Sequence, residues 1–197
     1  NPPIYTREFG ALLINKRQEE YPHLPPLDIR IIEKDEGAVR LSEDLKVRFF
    51  GLTHSIPDST GVIIETPHGD IVSTGDVRVE NIEGIPVPHE VEQYKFFRDR
   101  NVLLMTMDST GIPTPGWSLA ESIVIKTVDK LIADTKGRLL IAAFASQVER
   151  LIQFIESAKR YGRYVVVEGR SMKVNIAIVK HLNLTNLDHI IPVEDMH

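Results

Sequence analysis

The alternation of apolar and polar positions changes character midway along the chain. Over 6–20 the apolar residues Phe9, Leu12 and Leu13 recur on one face, and the segment breaks at Tyr21-Pro22 and Pro25-Pro26, which predicts a short amphipathic helix. Short bounded runs of branched and aromatic residues predict strands over 28–33, 46–52, 62–65 and 71–74. Pro67-His68-Gly69-Asp70 is a turn signal between the last two, so they should form a hairpin. A helix near 89–98 leads into a strand over 102–107.

The second half reads as alternating helix and strand. Ser118-Leu119-Ala120-Glu121 and Ser146-Gln147-Val148-Glu149 both fit the capping box, in which the serine hydroxyl accepts a backbone N–H and the glutamate reaches back. Helical spacing follows each: Ala120, Ile123, Val124, Leu131 and Ile132 after the first, then Val148, Leu151, Ile152, Ile155 and Ala158 after the second. The apolar runs 139–144 and 164–167 read as strands, and 171–182 as a third helix with His181 on its buried stripe. Such alternation predicts parallel strands joined by right-handed crossovers. The Pro- and Gly-rich stretch 111–117 is the natural domain boundary, with Trp117 packed between the domains.

Composition narrows the chemistry. With 42% hydrophobic and 26% charged residues, the 197-residue chain can bury a substantial core. Twenty-three basic against 28 acidic residues give a net charge of −5, which argues against indiscriminate nucleic-acid binding through overall charge. The absence of cysteine removes disulfides, thiolate zinc sites and thiol nucleophiles, so a metal must take His, Asp or Glu. No apolar run is long enough to span a bilayer and no signal-peptide pattern opens the chain, so a soluble, cytoplasmic protein is expected. The start at Asn1-Pro2-Pro3-Ile4 and the stop at Asp195-Met196-His197 suggest an internal piece of a longer protein.

Two constellations could carry chemistry. His54, Asp76 and Asp108 each follow the end of an apolar strand, and if those strands share a sheet and a sense, all lie on one edge. An imidazole and carboxylates gathered there suit zinc or manganese. The same residues also fit a capped loop and ordinary turns, and the other histidines form no HxH or HExxH pair. The second constellation is a strand–helix–strand crossover, in which Ala145, Ser146 and Gln147 would lie beside Gly169, Arg170 and Ser171. Helix N-termini offer free N–H groups to an anion there, and Arg170 a bidentate phosphate donor. The alternative is that Ser146 only caps its helix and Arg170 pairs with a surface acid.

In this order and at compatible spacing, the blocks THSIPDS, STGD, MDST, AAFAS and VEGRSM resemble ribonuclease J, of the β-CASP branch of the metallo-β-lactamase superfamily. The resemblance covers roughly 52–172. It implies an α/β fold, with part of a metallo-β-lactamase sandwich over 1–116 and the start of an inserted β-CASP domain with parallel strands over 117–197. It implies His54 and Asp76 as metal ligands, Asp108 as an active-site acid, and RNA contacts at Ala145, Ser146 and Gln147, beside which the crossover would place Arg170 and Ser171 in the same phosphate subsite.

The whole protein would be a metal-dependent ribonuclease acting in RNA processing or decay, as an exonuclease, an endonuclease or both. It would use two zinc ions, or manganese or magnesium in their place, on an RNA substrate, as a homo-oligomer with no membrane partner. The family's HxHxDH motif would precede Asn1 and its late histidine motifs would follow His197, so this chain alone should be inactive. Val77-Arg78-Val79 departs from the aromatic and lysine residues usual after Gly-Asp, and Gln147 replaces the usual asparagine. The alternatives are a small-molecule hydrolase of the same superfamily and a non-catalytic RNA-binding or scaffold relative.

Overall fold

The computed structural model describes residues 2–33 and 38–195. Its first layer is a five-stranded sheet built from β3 (Val39–Arg40), β4 (Lys46–Gly51), β5 (Thr60–Thr66), β6 (Gly69–Ser73) and β9 (Val102–Thr106), in the order β3-β4-β5-β6-β9. The first four are antiparallel neighbours, and β9 adds parallel to β6. The hairpin expected at Pro67 joins β5 to β6, with the His68 N–H donating to Thr66 Oγ1 at 3.1 Å.

Phe50, Leu52, Ile63 and Val72 form one core cluster on this sheet, with Val77, Tyr94 and Phe97 packed against it. Gly61 is required where Phe50 crosses its partner strand, because a Cβ there would collide with the Phe50 ring. The helix expected over 89–98 divides at Tyr94 into α2 (Pro88–Gln93) and a tighter turn at Lys95–Asp99. Two short antiparallel strands, β7 (Asn81–Ile82) and β8 (Ile85–Pro86), precede it.

The second core is helical. α1 (Glu8–Gln18) lies between β1 (Ile4–Thr6) and β2 (Ile29–Ile31), which pair in parallel. Phe9 of α1 is fully buried with Val148 and Ile152 of α4 (Val148–Arg160) and with Ile178 and Val179 of α5 (Arg170–His181). α3 (Glu121–Asp134) packs on α4, where Asp129 accepts hydrogen bonds from Ser157 Oγ and Tyr161 OH at 2.7 and 2.8 Å. Among the described residues no helix is long and apolar enough to cross a membrane.

The chain is thus α/β with a mixed sheet that includes parallel strands, but four local expectations fail. The run 139–144 forms no strand; Leu140 is 96% exposed, and the apolar face of α4 is covered by α1 and α5 instead. Over 164–167 there is a single parallel bridge, Val165 to Ile190, so the crossover that does form runs through α5 and not α4. His181 is exposed at the end of α5, whose buried positions are Asn175, Ile178 and Val179. Trp117 is 64% exposed, with its indole against Gly84, so it is no buried packing residue.

Candidate functional site

β4 and β6 each run antiparallel to β5, and β9 runs parallel to β6, so all three have one sense and end on one edge. There the chain continues into Thr53-His54, Thr74-Gly75-Asp76 and Met107-Asp108. Backbone bonds lace these loops together: the Arg78 N–H donates to the Thr53 carbonyl at 2.8 Å, and the Thr74 N–H to the Thr106 carbonyl at 3.1 Å. Gly75 turns the middle loop with a φ of +60°, in the left-handed region.

Asp108 is the best-defined polar group of this edge. Thr110 donates its N–H to Asp108 Oδ1 at 2.8 Å. Bonds from the Thr110 backbone and hydroxyl, then the Val77 N–H and the charge of nearby His54, hold the Asp108 carboxyl below its ordinary range. His54 Nδ1 lies 3.3 Å from Ser55 Oγ. His54 and Asp108 both line a cleft of about 1370 Å³, whereas Asp76 is exposed beside it.

Imidazole and carboxylate are suitable donors for zinc or manganese. Yet among the described residues no three His, Cys, Asp or Glu side chains gather closely enough to hold a metal ion. One oxygen of Asp108 is already taken by Thr110. The residues present therefore fit part of a metal site and do not complete one among themselves.

The opposite wall of the cleft comes from the start of α4. Gln147 lines it, with its Oε1 accepting from Arg150 Nη1. The Ala145 carbonyl accepts from Asn175 Nδ2 of α5 at 2.6 Å, and Ser146 is exposed. Arg170 and Ser171 are exposed and do not line the cleft, and Arg170 Nη2 pairs with Glu20 at 3.0 Å. The cleft thus brings together His54, Asp108 and Gln147.

Neither capping box forms. No serine caps α3 or α4, whose N-caps are Ala120 and Gln147. At α3 a distant carboxylate replaces the serine: Glu80 accepts the N–H groups of Glu121 and Ser122 at 3.2 and 3.3 Å. Glu121 is then free to take Arg78 and Arg150, a cluster that sequence reasoning missed. Arg78 stood out only as a departure from a pattern, and no local signal pairs residues this far apart.

Residues 136–197 match the family described as Ribonuclease J, beta-CASP domain. Over 197 residues, 99% of the chain, it is 30% identical to ribonuclease J of Mycoplasma genitalium, of which it covers 34%. It is 34% identical over 180 residues to ribonuclease J of Corynebacterium glutamicum, covering 91% of this chain and 24% of that one. Ribonuclease J of Thermus thermophilus is 33% identical over 174 residues, covering 86% and 30%. The chain spans between about a quarter and a third of the length of the curated relatives it matches. A crystal structure of a protein of unknown function from Enterococcus faecalis superposes with a TM-score of 0.69 over 98% of this chain and 50% of that one; at 17% identity it speaks for the fold alone.

Proposed function

The chain is similar to ribonuclease J through both its halves and carries that family's β-CASP domain over 136–197, and from this premise we propose that it is part of a metal-dependent ribonuclease that hydrolyses RNA phosphodiester bonds. The observation that carries the reading is the single cleft in which His54 and Asp108, at the ends of parallel strands, face Gln147 at the start of α4.

In this reading 1–116 is the metallo-β-lactamase part and 117–197 the β-CASP part. His54 and Asp76 hold zinc, or manganese or magnesium, together with ligands from outside the chain. When bound, such ions neutralise the charge of a scissile phosphate and act as Lewis acids. Asp108, held by Thr110 and Val77, stays ionised near His54 and adds negative charge to that side of the cleft. Gln147 and the free N–H groups at the starts of α4 and α5 position neighbouring phosphates, which supplies catalysis by alignment. Arg170 and Ser171 extend the RNA path outside the cleft. The full-length enzyme acts in the cytoplasm as a homo-oligomer.

RNA cleavage by the full-length protein, with and without chelator, tests this. His54→Ala should lower kcat by about a hundredfold or more with the far-ultraviolet circular dichroism spectrum unchanged, a loss in the range of a removed catalytic interaction. Unaltered turnover of metal-replete His54→Ala would end the ligand assignment.

A further inference from the structure

The two walls of the cleft are joined by one carboxylate. Glu121, the first residue of α3, receives Arg150 Nε and Nη2 on its two oxygens, the latter at 2.7 Å, and Arg78 Nη1 on Oε2. Arg150 passes its remaining Nη1 to Gln147 Oε1, on the α4 wall. Arg78 belongs to the other wall, where its N–H holds the Thr53 carbonyl next to His54. Glu121 is only 20% exposed. Behind it Glu80 caps α3, lies 3.7 Å from Arg78, and has its own N–H bound by Glu90, which is 1% exposed.

The charges decide what this cluster is for. Arg78 and Arg150 are balanced by Glu121 and Glu80, so no net positive charge is left to attract a phosphate. The two arginines are held for position. Removing a shared carboxylate leaves two partly buried cations facing each other, and the loss of a partner is the costly way to break a buried ion pair.

We infer that Glu121 is a positioning residue that ties the loop bearing His54 to the loop bearing Gln147 and so sets the spacing of the cleft for a strand that contacts both walls. The identity of that strand as RNA rests on the ribonuclease reading. A substrate that meets only the sheet edge does not need the spacing, and a longer one does.

The test compares wild-type full-length protein with Glu121→Gln on two substrates: a single-stranded RNA oligonucleotide long enough to touch both walls, and bis(p-nitrophenyl) phosphate. The expected result is a KM for RNA raised about tenfold or more, as for a lost charge-assisted bond, with kcat on the small diester within about twofold. Glu121→Asp, which keeps the charge on a shorter stem, should restore part of the RNA KM. A parallel loss on both substrates, or no loss on either, would overturn the assignment. Spin labels on cysteines introduced at position 92 of α2, which Gln93 Nε2 ties to the Gly51 carbonyl of β4 at 2.9 Å, and at position 159 of α4 separate this from the ribonuclease reading, because they report the spacing of the elements behind the two walls even if the wild type cleaves no RNA. Glu121→Gln should broaden the distance distribution where Glu168→Gln does not; an unchanged distribution would likewise overturn the proposal.

Discussion

Thr74 Oγ1 accepts the backbone N–H of Asp108 at 3.3 Å and donates its own proton to the Gly75 carbonyl at 2.7 Å. One buried hydroxyl, 5% exposed as a residue, thereby fixes the loop after β6 and the loop after β9 at the edge where the candidate site lies. Thr74→Val keeps the shape and removes both bonds. It should lower stability by about 1–3 kcal/mol, the cost of leaving buried polar groups unpaired, whereas Thr74→Ser should cost less. Urea denaturation of the two variants checks this, and a loss in Thr74→Ser with none in Thr74→Val would show that the methyl group matters and the hydroxyl does not.

Phe9 joins the start of the chain to its end. It is fully buried against Val148, Ile152, Ile178 and Val179, so the helical core depends on a segment from the other end of the chain. Phe9→Ala should cost about 3–5 kcal/mol, as for an aromatic removed from a packed interior. Proteolysis before and after the substitution should show α4 and α5 becoming sensitive together. If only 2–20 becomes sensitive, α1 is an appendage to a core that stands without it.

How legible these features were depends on whether the cause is local. The Pro67-His68-Gly69-Asp70 turn sets the β5–β6 hairpin, and successive reversals then place His54 and Asp76 on one edge, so strand sense could be followed residue by residue. The stripe Val148, Leu151, Ile152, Ile155 was equally readable, since periodicity marks a buried face. Periodicity does not name the partner, and α4 packs on Phe9 rather than under a strand from 139–144. The capping boxes failed for a related reason: Glu80 outcompetes Ser118 for the first N–H groups of α3, and the two arginines hold the Glu121 carboxylate that should have reached back. Side-chain competition over such separations leaves no pattern in one sequence.

Acid should weaken the fold through its carboxylates. Burial pushes the Glu65 carboxyl up, but hydrogen bonds from Arg48 and Arg100 and the charges of both outweigh it, so its pKa falls below 4.5. Hydrogen bonds from Arg150, and after them Arg78, lower that of Glu121 against the effect of burial. A carboxyl with a depressed folded-state pKa contributes stability fully above its unfolded value and loses it as pH falls through the folded one. Urea midpoints should therefore be flat near neutrality and drop below about pH 4.5. Glu65→Gln should flatten that drop, and an unchanged acid slope would mean the unfolded chain holds these carboxylates as strongly.

The Arg170 contact makes opposite predictions for two neighbours in space. Arg170 is 81% exposed, and its partner Glu20 is shared with Arg17 at 2.7 Å, so the guanidinium is restrained by an acid that is not its own alone. An exposed pair of this kind is worth little to stability, and a phosphate can replace the carboxylate. If Arg170 meets an RNA phosphate in the full-length protein, Arg170→Ala should weaken binding and reduce the slope of log K against log salt by about 0.7, the share of one phosphate on a single strand. Glu20→Gln should do the reverse, since it frees Arg170 and removes a negative charge from the path of the backbone. Fluorescence anisotropy with labelled single-stranded RNA across a salt series measures both. Equal affinities and slopes in the two variants would place Arg170 off the RNA path and leave its role as the surface tie between α5 and the end of α1.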